Sequence, residues 1–216
     1  MTIRVLLVDD HQLMREGLRK ILEGTAGIEV VGEAEDGGSA LLAVAEFRPA
    51  VVVMDVAMSG MNGIDATQRL RKDHPGVRVV ALSTHADKRY VRNMMRAGAA
   101  AYVLKESASE DLLRAVRAAA HGEHYLSPQI TGCLLESWTV PQAAESSTAY
   151  EVLGAREREV LRLLSEGKTS KEIATQLALS IKTVETHRRN ITQKVGLHSV
   201  AELTKYAVRE GLTTLE

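Results

Sequence analysis

Apolar residues in the first half of the chain come in short unbroken runs separated by stretches of helical spacing. The runs at 3–8, 28–34, 50–54, 77–82 and 100–104 are β-branched or small apolar for most of their length. Runs of that length bounded by turn residues read as buried strands. The segments near 12–23, 37–47, 64–73, 87–97 and 108–120 instead place apolar residues at i, i+3 and i+4, as in Leu41, Leu42 and Ala45 or Leu112, Leu113 and Val116. That is the spacing of an amphipathic helix. Gly24 and Gly27, Pro49 and the pair Pro75-Gly76 punctuate the boundaries.

Five strand–helix units in succession predict an α/β fold: a flavodoxin-like, doubly wound, five-stranded parallel domain over 1–121. The pattern does not encode the strand order. Residues 122–150 then read as a linker. It holds a short helix over Pro128 to Trp138, with Ser127 as N-cap and Cys133 and Trp138 on its apolar face, followed by the polar stretch Pro141 to Thr148. From 151 to 216 strand-like alternation is absent, and helices are expected near 155–166, 170–177, 181–195 and 199–210. Gly167, Leu179-Ser180 and Gly196-Leu197 separate them, so this part is expected to be a small all-α domain.

Charge adds one asymmetry to this picture. The 27 basic and 28 acidic residues of the chain nearly cancel, yet 149–216 carries 11 basic and 9 acidic residues. A polyanion would bind there if anywhere. Cys133 is the single cysteine, which excludes an intrachain disulfide and a cysteine-rich metal centre. With no signal-like or membrane-spanning run, a soluble cytoplasmic protein without membrane contact is expected.

The strand-like runs end in chemistry. The first leads into Asp9 and Asp10, the third into Asp55, the fourth into Ser83 and the fifth into Lys105. In a parallel α/β sheet the residues just past the carboxyl ends of neighbouring strands converge on one crevice. Three carboxylates, a hydroxyl and an ammonium there suit one hard divalent cation, Mg2+, and one phosphoryl group. A cation keeps crowded carboxylates ionised, and Asp55, central among the strands, is the one placed to attack phosphorus. Lys105 and Ser83 would then bind the phosphoryl oxygens. Any one of these acids alone would read as a solvated turn residue; the set together does not. Asp36 is expected to cap a helix rather than bind the cation. His85, two residues past Ser83, stands at the mouth of the site or is an ordinary surface imidazole, and His11, His74, His121, His124, His187 and His198 show no pairing that suggests a metal site.

Asp9-Asp10, Asp55 followed by Met58 and Gly63, Ser83, and Tyr102 with Lys105 three residues on resemble, in order and spacing, the receiver domain of two-component response regulators, over roughly 1–121. The resemblance implies a sensor histidine kinase that phosphorylates Asp55. It also implies magnesium held by Asp10, Asp55 and the backbone carbonyl of Ala57, with Asp9 close by, and a shift of Ser83 and Tyr102 on activation. Two departures stand out. Ser59 replaces a usual proline and is expected to loosen the loop beyond Asp55, and Glu106 replaces the proline that often follows the lysine.

In the helical part, 171–177, the break at 178–180 and 181–195 meet the description of a helix-turn-helix, with Ser180 capping the second helix. At 100° per residue Ile181, Val184, Ile191 and Val195 fall on one side, and Lys182, Glu185, Thr186, Arg189 and Gln193 on the other. A charged helix face alone is usually just solvated. The runs Ala155 to Leu161, Glu166 to Ala174 and Ser180 to His187, however, resemble the LuxR-type helix-turn-helix domain over about 151–212, with Ala155 where proline is common. With the receiver, the chain resembles the NarL/FixJ subfamily. That implies a DNA-binding regulator in which 181–195 is the recognition helix, and Lys182, Thr183 and Arg188 or Arg189 meet double-stranded promoter DNA. It also implies a homodimer on phosphorylation, the last helix contributing to the interface. Two rivals stand beside this reading. One is an aspartyl-phosphate phosphatase or phosphotransferase, which needs a second acid where this chain has Ala57; the other is an adaptor whose helical domain binds protein.

Overall fold

The structure is a computed structural model that describes residues 2–84, 86–107, 109–132 and 148–213. The expected positions of His85, Cys133 and Trp138 lie outside those residues. The chain divides into two compact units, Met1–Gln142 and Ala143–Glu216.

In the first unit strands β1 (Ile3–Val8), β2 (Ile28–Ala34), β3 (Val51–Asp55), β4 (Arg78–Ser83) and β5 (Ala101–Leu104) alternate with helices α1 (Gln12–Glu23), α2 (Gly37–Phe47), α3 (Gly63–Asp73), α4 (Lys88–Ala97) and α5 (Ser109–Ala120). The sheet is all parallel in the order β2-β1-β3-β4-β5-β6. It has six strands rather than five. The sixth, β6 (Tyr125–Leu126), lies beyond residue 121, where the alternation was expected to end. Two residues cannot display an alternation, so periodicity could not reveal it.

The central strands β1, β3, β4 and β5 bury both faces over most of their length. Val5, Leu7, Val51, Val53, Val80, Leu82, Ala101 and Val103 pack against Leu18 and Leu22 of α1 and Leu112, Ala115, Val116 and Ala119 of α5. The alternate residues Leu6, Val8, Val52, Met54, Ala81 and Tyr102 are equally buried and point to the other face. There α2 packs on β1 and β2, and α4 on β5. At about 1.5–3 kcal/mol per fully buried large apolar side chain, this two-sided burial is what holds the strand ends in register. Helix starts follow local chemistry: Asp36 caps α2 by accepting from Ser39 N, as expected, while Asn62 caps α3 and Asp87 caps α4.

After β6, residues 128–132 form the helical turns of α6. The expected cap is not made: Ser127 Oγ is buried without a hydrogen-bond partner among the described residues, and only its carbonyl takes part, accepting from Thr131.

The second unit contains α7 (Ala149–Val152), α8 (Ala155–Ser165), α9 (Ser170–Gln176), α10 (Ile181–Val195) and α11 (Val200–Arg209). Its core joins Val160, Leu161, Leu163, Ile173, Val184, Ile191, Leu203 and Tyr206. Thr169 and Ser199 head capping boxes with Glu172 and Glu202, and Ser180 caps α10 by accepting from Thr183 N. The tight turn between α9 and α10 runs through Ala178, whose φ of 52° is left-handed.

Two predictions follow from backbone geometry. Gly63 opens α3 against the end of β3, where a Cβ would lie 2.1 Å from the Asp55 carbonyl oxygen. Backbone cannot yield cheaply, so Gly63→Ala is expected to destabilise the first unit by about 1–3 kcal/mol in urea unfolding. Gly76→Ala, with nothing within 4 Å, serves as the near-neutral control. Ala178→Gly is expected to stabilise the second unit by about 0.5 kcal/mol, because relief of roughly 1–2 kcal/mol of left-handed strain exceeds the added unfolded-chain entropy of about 0.4–1 kcal/mol. A lowered urea midpoint would contradict it.

Candidate functional site

The strand order places β1 beside β3, so Asp9 and Asp55 converge at one end of the sheet, at the point where the winding reverses. Asp55 is the last residue of β3 and Ser83 the last of β4, each one position inside its strand rather than past it. Lys105 follows β5, and its backbone N–H donates to the Ser83 carbonyl at 2.8 Å. Its ammonium Nζ lies 2.7 Å from Asp9 Oδ2 and 2.7 Å from Asp55 Oδ2. The three groups are nearly inaccessible to solvent.

Burial pushes the Asp55 carboxyl up to about 6, with the Lys105 ammonium restraining the rise and Asp9 adding to it. For Lys105 burial acts the other way, but the paired carboxylates outweigh it and hold the ammonium above its ordinary value. Asp55 Oδ1 also accepts from Ala57 N at 3.3 Å, and Arg15 Nη1 donates to the Asp9 carbonyl at 2.5 Å.

Asp9, Asp10 and Asp55 each bring a carboxylate oxygen, and His11 a ring nitrogen, to within 4.8 Å of one another. The pairing of His11 corrects the expectation that no histidine approaches such a group: its Nδ1 lies 2.9 Å from Asp10 Oδ1 and 3.3 Å from Asp9 Oδ1. Asp10 Oδ1 is shielded from solvent, with the His11 ring nitrogen against it. A shielded carboxylate oxygen among two further carboxylates fits a hard cation. The loop beyond Asp55 is not loosened at Ser59. Its N–H donates to Asp10 Oδ2 at 2.9 Å, a bond proline could not make. Peptide bonds among the described residues, including the one after Lys105, are trans.

Tyr102 is fully buried, and its hydroxyl pairs with the Ser83 side chain. Burial pushes the phenol well above its ordinary range, the Ser83 bond opposing. Core residue and site residue are thus the same side chain here.

In the second unit Val184 and Ile191 are buried and Val195 half-buried, as expected. Ile181 is 52% exposed and does not join the core. It is the first residue of α10. Lys182, Glu185, Arg189 and Gln193 are exposed. The hydroxyls of Thr183 and Thr186 are engaged locally, with Ser180 Oγ at 2.8 Å and the Lys182 carbonyl at 2.9 Å.

Two cross-helix bridges were not legible beforehand. Ser170 Oγ accepts from Arg188 Nη1 at 2.7 Å and donates to Glu185, so α9 grips two side chains of α10. Lys194 Nζ lies 2.6 Å from Glu157 Oε2, which also accepts from Gly154 N at 2.8 Å and so ties α10 to the start of α8. Burial alone would raise the Glu157 carboxyl, but the Lys194 and Gly154 donors hold it below the usual range.

Residues 5–117 match the family described as response regulator receiver domain, and residues 151–207 match bacterial regulatory proteins of the luxR family. The transcriptional regulatory protein LiaR of Bacillus subtilis is 39% identical over 210 residues, covering 97% of this chain and 99% of that protein. Among solved structures, the response regulator ChrA of a heme-sensing two-component system is 33% identical, with a TM-score of 0.55 and 98% of each chain covered. An RcsB–DNA complex aligns at 26% identity with a TM-score of 0.60, covering 95% of this chain and 98% of that one. With a receiver match over more than half its length, a luxR match over 151–207, and a relative aligned almost end to end, the chain belongs to the NarL/FixJ-type two-component response regulators, transcriptional regulators with a receiver and a LuxR-type DNA-binding domain.

Proposed function

We propose that a sensor histidine kinase phosphorylates this regulator on Asp55, and that phosphorylation controls binding of α10 to promoter DNA. The observation that carries the reading is the Lys105 ammonium set 2.7 Å from both Asp9 and Asp55. A buried ion pair is weak evidence for stability, since desolvation offsets most of its attraction. Beside a candidate nucleophile it supplies charge where a phosphoryl group arrives. Asp55 attacks the phosphorus of the donor, the bond from phosphorus to the leaving atom breaks, and Lys105 pairs with the transferred oxygens. Asp9, Asp10, Asp55 and the carbonyl of Ala57 would hold Mg2+, which when bound neutralises charge on the phosphoryl oxygens. The Ser83 hydroxyl turns toward the phosphoryl group and leaves Tyr102. This differential contact is what shifts the population of receiver states.

The chain is a regulator that promotes its own phosphorylation and dephosphorylation at Asp55 and turns over no other substrate. A phosphatase or phosphotransferase would need a second acid at Ala57. We place the protein in the cytoplasm, with functional domains at 1–121 and 151–216, binding two half-sites as a homodimer when phosphorylated. Lys182, Thr183, Thr186, Arg189 and Gln193 face the DNA, and Glu185 and Arg188 stand at its edge in their bridge to Ser170. The DNA-bound relative RcsB supports a DNA partner over a protein one.

Incubation with magnesium and a small phosphodonor is expected to add one base-labile phosphoryl group to the chain, because an acyl phosphate forms on an activated carboxylate. Asp55→Asn abolishes it; undiminished labelling of that variant rejects Asp55 as acceptor. On DNA, Arg189→Ala is expected to cost about 1–3 kcal/mol and to relax discrimination at one position per half-site. Lys182→Ala should weaken binding to all sequences and lower the salt slope by about one. Unchanged binding by both variants, or a salt-independent affinity, would favour the adaptor reading.

A further inference from the structure

We infer that the backbone amide of Ser59 is a positioning group for Asp10, fixing its carboxylate beside Asp9 and Asp55 in readiness for a cation. The inference rests on the reading of Asp10 as a magnesium ligand. Asp10 follows β1, whereas Ser59 lies 49 residues on, in the loop between β3 and α3, and its N–H donates to Asp10 Oδ2 at 2.9 Å. Asp10 needs such a hold. Its side chain is 23% exposed, and one of its oxygens lies within 4.8 Å of two further carboxylates that repel it, with only the exposed His11 ring beside it as a possible counterpart. An untethered carboxylate in that position lowers its energy by rotating toward water. The Ser59 bond opposes that rotation at Oδ2 and leaves Oδ1, beside the exposed His11 ring, for a cation.

The loop that carries the donor is itself anchored. Gly63 N donates to the Val56 carbonyl at 3.1 Å, and the Met61 carbonyl accepts from Gly37 N at 2.9 Å. Ser59 therefore presents its N–H from a span fixed on both sides, and a charge-assisted bond to a carboxylate is among the stronger kinds. The donor is backbone, not hydroxyl. Alanine keeps it and proline removes it, so two variants at one position separate a tether from a side-chain role.

The test is a magnesium titration of the unphosphorylated full chain, followed by amide chemical shifts, for wild type, Ser59→Ala, Ser59→Pro and Asp10→Ala. Ser59→Ala is expected to bind within twofold of wild type. Ser59→Pro is expected to bind about three- to tenfold more weakly, the loss of one hydrogen bond that holds a ligand, with a dispersed spectrum showing that it folds. Equal or tighter binding by folded Ser59→Pro overturns the inference, and so does a weakening in Ser59→Ala as large as in Ser59→Pro. Asp10→Ala separates this from the underlying reading: if that variant binds magnesium like wild type, Asp10 is no ligand and the reading itself fails. Should Ser59→Pro not fold, amide hydrogen exchange without magnesium decides. The exposed Ser59 amide exchanges at least tenfold faster in Asp10→Ala than in wild type if Asp10 holds it, and an equal rate refutes the tether.

Discussion

The first unit is organised around one buried ammonium. Lys105 reaches from the end of β5 across the end of β4 to the carboxylates of Asp9, just past β1, and Asp55, which ends β3. Leaving any of these charges buried and uncompensated would cost about 3–5 kcal/mol, so the strand ends must stay where the three groups meet. Much of the surrounding detail serves that demand. The apolar faces of the strands fix the register, the Lys105 amide locks β5 to the Ser83 carbonyl, and Gly63 lets α3 approach the Asp55 carbonyl closely. The cost of taking a carboxylate out of water is visible at Asp55, which burial drives up to about 6 despite the lysine.

The second unit solves a related problem with single side chains shared between helices. Glu157 serves the Gly154 amide and the Lys194 ammonium together, and Ser170 serves Arg188 and Glu185. Arg158, itself buried, donates to the Leu153 carbonyl at 2.6 Å and lies over the Tyr150 ring. Helices this short gain little from intrinsic propensity, so capping and cross-helix bonds decide their mutual angles.

Most of this architecture was legible in the residues. The bounds of α1, α2 and α10 coincide with the expected spans, since helical periodicity in each ends at a glycine, a charged turn or a capping serine. The acidic site was legible because strand ends in a parallel sheet must converge. What escaped is what periodicity does not encode. A backbone N–H such as that of Ser59 leaves no mark in a residue pattern, and the bonds from Ser170 to Glu185 and Arg188 join helices whose relative placement only the packed core sets. Ile181 misled for a related reason: angular projection assigns a face but not burial, and this first residue of the helix is 52% exposed.

The two-residue strand β6 has a consequence out of proportion to its length. Tyr125 N donates to the Ala100 carbonyl and Ser127 N to the Tyr102 carbonyl, both at 3.1 Å. Without these bonds β5 would be the border of the sheet, offering a row of open peptide groups to any passing extended chain. Four residues of alanine, tyrosine, valine and leucine would make that border a template for self-association. The short strand blunts it, and it is itself too brief to recruit another.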